Sequence, residues 1–160
     1  MASTTPIKVA VIGASGRTGE SIIDGLLASE TTKFDVTAIT RPSSLESEGV
    51  QALRARGVRI AALDLRAAPK DELVRAFAGL DVLVSAIYAL ALEDQVGILD
   101  AVKEAKVGRF VPCFFGTPAP RGVQKLLDTV RYTHPLTPDT LLCGFVGRSR
   151  KGVNSVLAAC

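Results

Sequence analysis

Short apolar, β-branched runs alternate with segments of helical periodicity along most of the chain. Apolar residues that recur every three to four positions predict amphipathic helices, whereas short apolar runs between turn residues predict buried strands. The pattern predicts strands at residues 7–13, 34–40, 57–65, 80–87 and 108–113. It predicts helices between them at residues 17–29, 43–56, 69–79 and 92–107.

This alternation predicts the class of fold. Consecutive strand–helix–strand units form right-handed crossovers, which give a parallel sheet covered by helices on both faces. We expect an α/β fold, a Rossmann-like doubly wound parallel sheet with five strands in the order 3-2-1-4-5. After about residue 117 the pattern weakens, and residues 123–132 suit a short helix and residues 141–146 a sixth strand.

Composition and charge narrow the classes of protein. The 160 residues, 48% of them hydrophobic, suffice for one domain with a core. The end of the chain is mildly basic, because residues 121–160 hold 6 of the 19 basic residues and only 2 of the 16 acidic ones. Basic residues are nowhere interleaved with aromatic ones, so we do not expect nucleic acid as a partner.

Cysteine content and hydropathy point to the compartment. The three cysteines, Cys113, Cys143 and Cys160, have no Cys-x-x-Cys spacing, which argues against a disulfide framework and a zinc site. No signal peptide is evident, and no apolar run reaches membrane-spanning length. We expect a cytoplasmic protein that binds neither membrane nor metal.

A glycine-rich turn, G-A-S-G-R-T-G, joins the first predicted strand to the first helix. In such turns the first glycine permits the bend, the second lets the backbone approach a pyrophosphate, and the third allows close helix packing. The helix N-terminus adds free N–H groups and a positive dipole end. A structural turn is the alternative, but the position in the first βαβ unit favours a dinucleotide. The expected cradle comprises Gly13, Ser15, Gly16, Arg17, Thr18 and Gly19.

The end of the second strand favours NADP(H) over NAD(H). NAD sites usually place an acidic residue here for the ribose 2′-hydroxyl, whereas this chain has Arg41. A guanidinium pairs with a 2′-phosphate that a carboxylate would repel, and Arg17 supplies a second cation nearby. The alternative is that Arg41 is only a solvated loop residue.

The carboxyl ends of the other strands supply further candidates, because ligands bind at that edge of an open α/β sheet. We expect Asp64 and Leu65 near the adenine, Ser85 and Ala86 near the ribose, and Cys113 and Phe114 near the nicotinamide. Each could equally be strand-end packing.

Catalytic groups are not evident. Tyr88 and Tyr132 have no Lys four residues later, and His134, the one histidine, precedes a proline in a predicted loop. The catalytic residues therefore stay unassigned.

Several motifs together resemble the NmrA-like and isoflavone-reductase-like family of atypical short-chain dehydrogenases, particularly its fungal members. They are VIGASGRTGESIIDGLL, TRPSSL, GVRIAALDL, DVLVSAI and VGRFVPCFFGTPAPRGV, and the resemblance covers about residues 6–128. It implies a Rossmann fold, NADP(H) binding and reduction of a small, often phenolic or aromatic substrate. It also implies that Gly13, Gly16, Gly19, Arg17 and Arg41 contact the cofactor.

The chain departs from the family pattern in three places. Phe114 stands where relatives often have an acidic residue, and Val130 where reductases have a lysine, with Lys125 a turn earlier. The long C-terminal substrate-binding portion of the relatives is not recognisable. We expect residues 1–130 to form an NAD(P)-binding domain and residues 131–160 a divergent basic tail.

These departures leave two interpretations open. One is an NADPH-dependent oxidoreductase; the other is a non-catalytic dinucleotide-binding regulator, with a protein partner, or an inactive remnant. A C-terminally truncated or mis-spliced product, with its last segment in an altered reading frame, would account for residues 131–160. The transcript sequence across codons 125–135 tests this.

Overall fold

The computed structural model describes residues 5–88, 91 and 94–113. Within them five parallel strands form one sheet in the order β3-β2-β1-β4-β5, which confirms the predicted topology. The strands are β1 Ile7–Ile12, β2 Phe34–Thr40, β3 Arg59–Ala62, β4 Val82–Ser85 and β5 Arg109–Val111. The predicted helix at 123–132 and sixth strand at 141–146 lie outside the described residues.

The helices follow the predicted order but differ in extent. They are α1 Arg17–Leu27, α2 Glu48–Ala55, α3 Lys70–Phe77, α4 Asp94–Gly97 and α5 Leu99–Glu104, with a 3-10 helix at Pro42–Ser44. The single helix predicted at 43–56 is wrong, because Ser47 has extended backbone angles and its hydroxyl donates to Ser44 O at 2.7 Å. Serine hydroxyls compete with helical hydrogen bonds in this way.

The helix predicted at 92–107 is also divided in the described part of the chain. α4 ends at Gly97, a residue of low helix propensity, and α5 begins at Leu99. Lys106 then adopts a φ of 54°, which directs the chain into β5. Among the residues that the structure covers, no helix has the length and apolar character needed to cross a membrane.

The sheet separates two apolar layers. Successive strand residues face opposite sides, so Val9 and Val11 face α1 and α2, whereas Ala10 and Ile12 face α3 and α5. The largest fully buried side chains include Ile23 and Leu53 in one layer and Phe77 in the other. Burial on both faces explains why the strands are continuous apolar runs rather than alternating ones.

Strand register brings the carboxyl ends together at one edge. Ile12 at the end of β1 pairs with Ile39 of β2 and with Ser85 of β4, and Thr40 pairs with Ala62 of β3. The segments that follow these strands are therefore neighbours, which places the glycine turn between the ends of β2 and β4.

Candidate dinucleotide-binding site

Two of the three glycines in the turn are required by the packing of the protein itself. Gly13 has a φ of +74°, and a Cβ there would lie 2.5 Å from Ala86 O. A Cβ on Gly19 would overlap Gly13 O and lie 2.8 Å from Ala14 Cα. Gly13 thus allows the turn to pass beside the end of β4, and Gly19 allows α1 to pack against the turn.

Gly16 differs from both. It is exposed, has ordinary backbone angles (φ −84°, ψ 160°) and is the N-cap residue of α1. A Cβ there would meet only Gly13 O, at 3.3 Å, so this oxygen would have to move by a few tenths of an ångström, far less than a Cβ on Gly13 or Gly19 would demand. Internal packing therefore gives only a weak reason for a glycine at this position.

The N-terminus of α1 is not capped by a side chain. Glu20 N donates to Gly16 O at 2.8 Å and begins the helical hydrogen bonds. The N–H groups of the first turn have no partners within a helix and carry the positive end of its dipole. Ser15, Arg17 and Thr18 beside them are exposed.

The connection between β2 and α2 lies against the glycine turn. A Cβ on Gly49, in the first turn of α2, would lie 3.3 Å from Ser15 Cβ. Arg41 is exposed at the start of this connection, directly after β2. Neither Arg17 nor Arg41 forms an ion pair with any residue in the described ranges, in contrast to Arg56, which pairs with Asp24.

Two glutamates follow Arg41 in the chain, one in the connection and one at the start of α2. Glu46 accepts a hydrogen bond from Gln51 Nε2 at 3.2 Å, and Glu48 lies in the first turn of α2. Both are exposed. The segment that begins at Arg41 therefore carries negative as well as positive charge.

The strand predicted at 57–65 is too long, because β3 ends at Ala62. Asp64 and Leu65 therefore follow the strand, and each already has contacts within the protein. Asp64 Oδ1 accepts from Arg66 N at 3.0 Å and from Ala67 N at 3.3 Å, which holds a local turn. Leu65 packs against the apolar layer beside α3 and α5. Arg66 Nε in turn donates to Asp94 Oδ2 at 2.7 Å, and this contact raises the pKa of Arg66.

The end of β4 reaches the glycine turn through its main chain. Ala86 N donates to Ile12 O at 2.9 Å, and Ala86 O faces Gly13 as described above. Ser85, in contrast, is fully buried, and its hydroxyl has no partner within the part of the chain that the structure covers. Because the whole residue is 0% exposed, neither the hydroxyl nor the backbone of Ser85 is accessible at this edge, whereas Ala86 is partly exposed.

Cys113 follows β5 and is buried, and Phe114 lies outside the described residues. The sequence pattern did not identify the residue that holds Cys113, which is Gln95. Its Oε1 accepts from Cys113 N at 2.8 Å, and its Nε2 donates to Cys113 O at 3.4 Å. The available signal was its spacing, because Gln95 shares a helical face with buried Ile98 and Val102.

No group of histidine, cysteine or acidic side chains in the described ranges could hold a metal ion. What the edge offers is exposed backbone at a helix N-terminus, flanked by the two cations Arg17 and Arg41. Such an arrangement suits a phosphate-bearing ligand rather than a metal.

Comparison with known proteins adds independent support. The sequence model of the NmrA-like family matches residues 5–128. Asnovolin J 5′,6′-dehydrogenase of Aspergillus novofumigatus is 44% identical over 129 residues, which cover 80% of this chain and 39% of that protein. An isoflavone reductase-like protein of Olea europaea is 35% identical over 119 residues, 71% of this chain and 37% of its own length. The chain thus spans about two-fifths of the length of these curated relatives.

Solved structures show the same fold. The crystal structure of an isoflavone reductase superimposes with a TM-score of 0.64 at 26% identity, covering 79% of this chain and 44% of that one. A leucoanthocyanidin reductase from Vitis vinifera, solved as a binary complex with NADPH, has a TM-score of 0.63 at 20% identity, covering 78% and 43%. With most of its length matched in both sequence and fold, this chain belongs to the NmrA-like family and is isoflavone reductase-like.

Proposed function

We propose that this chain binds NADP(H) and provides the cofactor-binding part of an NADPH-dependent oxidoreductase for a small aromatic substrate. The observation that carries the proposal is Gly16. The packing of the protein requires Gly13 and Gly19, whereas Gly16 is exposed and its Cβ would make only one close contact. Bare backbone at an uncapped helix N-terminus suits the close approach of a pyrophosphate.

The choice of NADP(H) rests on charge. Arg41 and Arg17 are exposed and have no ion-pair partners in the described ranges, so both are available to a 2′-phosphate. Similarity to a reductase that was solved with NADPH is consistent with this choice. Asp64 and Leu65 would lie near the adenine, Ser85 and Ala86 near the ribose, and Cys113 and Phe114 near the nicotinamide.

The bound cofactor supplies a hydride, and the residues described here bind and orient it. No described side chain is assigned as a proton donor to the substrate. The domain boundary near residue 130 belongs to the same proposal, because every expected cofactor contact precedes it.

Two alanine substitutions test the proposal, one at Gly16 before the first residue of α1 and a control at Gly25 within the same helix. Gly16→Ala should weaken NADPH binding at least about tenfold, because the added methyl group obstructs the pyrophosphate. Gly25→Ala is the control: it lies in α1, and a Cβ there has no atom within 4 Å. Isothermal titration with NADPH measures both. Equal affinities of Gly16→Ala and the unmodified protein would contradict the pyrophosphate cradle.

A non-catalytic dinucleotide-binding regulator is the second candidate. It is favoured by Val130, which stands where the family resemblance places a catalytic lysine. A turnover assay with NADPH and a panel of carbonyl and phenolic compounds separates the two candidates. Tight NADPH binding without turnover supports the regulator, and failure to bind either NADPH or NADH contradicts both.

A further inference from the structure

The pairing of β4 with β5 stops short of the candidate site. The register runs from Val82 opposite Arg109 to Val84 opposite Val111. Ile87 and Cys113 lie beyond the last pair. These two segments border the part of the sheet edge where the nicotinamide is expected, and the ladder does not hold them together.

The side chain of Gln95 takes the place of a neighbouring strand for Cys113. It is 2% exposed, and its amide bonds both to the N–H and to the C=O of Cys113, at 2.8 and 3.4 Å. An amide is suited to this task because it carries a donor and an acceptor side by side. An apolar side chain of the same volume would remove both of these hydrogen bonds from the buried main chain of Cys113.

The residues on either side of this contact, Cys113 and Asp94, are themselves held by hydrogen bonds. The Cys113 thiol donates to Ile87 O at 3.2 Å, which joins the end of β5 to the end of β4. Asp94, the residue before Gln95, accepts from Arg66 Nε at 2.7 Å and ties α4 to the segment after β3. Asp94 thus anchors the short helix α4 to the segment after β3, while Gln95 of the same helix binds the end of β5.

We propose that Gln95 is a positioning residue that sets the place of the Cys113 segment against the nicotinamide half of the cofactor. The inference rests on the proposed binding of NADP(H). The adenosine half depends on other elements, the glycine turn and Arg41, whereas the side-chain hydrogen bonds of Gln95 in the described ranges go to Cys113. Loss of Gln95 should therefore affect the two halves of the cofactor unequally.

The test compares two ligands, NADPH and adenosine 2′,5′-bisphosphate, which lacks the nicotinamide half. In Gln95→Leu, NADPH binding should weaken about tenfold, whereas the bisphosphate should bind about as well as to the unmodified full chain. Gln95→Glu is a second variant in case the first does not fold. Its carboxylate accepts from Cys113 N–H but cannot donate to the carbonyl, so the same imbalance is expected.

Val102→Ala is the control variant. Val102 is 6% exposed in α5, in the same apolar layer, and its side chain cannot form hydrogen bonds. It should lower stability without changing the ratio of the two affinities. If a folded Gln95 variant keeps the ratio of its NADPH and bisphosphate affinities, either because neither changes or because both fall equally, the inference is overturned. If the unmodified protein binds neither ligand, the proposed function itself fails; a failure confined to the ratio leaves that function standing.

Discussion

Three glycines in one turn have different physical tasks. Gly13 combines a φ of +74° with close approach to Ala86, and Gly19 has no room for a side chain beside Gly13. Gly16 has neither constraint to a comparable degree. A glycine that internal packing does not strictly require is the one most readily attributed to a ligand, and in this turn that residue is Gly16.

Arg41 is the residue on which the choice between the two nicotinamide cofactors depends. Arg41→Asp should weaken NADPH binding about ten- to a hundredfold, because it replaces a charge-assisted contact with repulsion of the 2′-phosphate. NADH should bind as well or better, since a carboxylate can accept from the free ribose hydroxyl. Titration with both nucleotides gives the ratio of affinities.

Arg54→Asp provides the matching change of charge. Arg54 is exposed in the last turn of α2, whereas the first turn of that helix contacts Ser15. It should leave the ratio unchanged. A ratio that Arg41→Asp does not alter would refute the role assigned to Arg41.

The packing of α1 against the glycine turn depends on the absence of a side chain at Gly19. Gly19→Ala should lower the free energy of unfolding by about 1–3 kcal/mol, because the methyl group forces α1 away from the turn. Gly25→Ala, in the same helix but without neighbours, should raise it by about 0.5–1 kcal/mol. Urea unfolding followed by circular dichroism measures both. A Gly19→Ala protein as stable as the original would mean that the helix tolerates the added volume.

Connections between elements bring distant residues to the site. Ser47 ends the turn after β2 and delays α2, whose Gly49 then lies against Ser15. The segment after Arg41 is consequently a short 3-10 helix at Pro42–Ser44 rather than the start of a long helix.

The described part of the molecule is one sheet with an apolar layer on each face and its strand ends at one edge. Every residue expected to contact the cofactor lies at or before Phe114. Removing residues 131–160 should therefore leave NADPH affinity within about twofold. NADPH at a hundred times its Kd should still stabilise the shortened chain by about 2.7 kcal/mol.

Urea unfolding of both chain lengths, with and without NADPH, measures this stabilisation. Its disappearance on removal of residues 131–160 would show that the tail contributes to the site or to the fold. The chain spans about two-fifths of the length of its curated relatives. Comparing the two chain lengths therefore tests where the cofactor-binding domain ends.

Much of the architecture followed from local pattern. The apolar runs at 7–13, 34–40 and 80–87 predicted three of the strands, because residues buried on both faces of a parallel sheet are continuously apolar; β4 is shorter than predicted. The alternation of strands and helices predicted the doubly wound sheet that the strand order confirms. Family membership was equally predictable and is confirmed by the match over residues 5–128. Helix extents were less accurate, since Ser47 and Gly97 interrupt segments whose apolar spacing is that of one continuous helix.

Contacts between residues remote in the chain could not be read from such patterns. Periodicity indicates which way a residue faces, so the sequence alone established the layers, the topology and the position of the glycine turn. Packing in three dimensions determined that Gly16 is the glycine without a strong internal reason, that Gly49 meets Ser15, and that Gln95 holds Cys113. These depend on how whole elements dock, because the distance between two side chains far apart in sequence is set by every element between them.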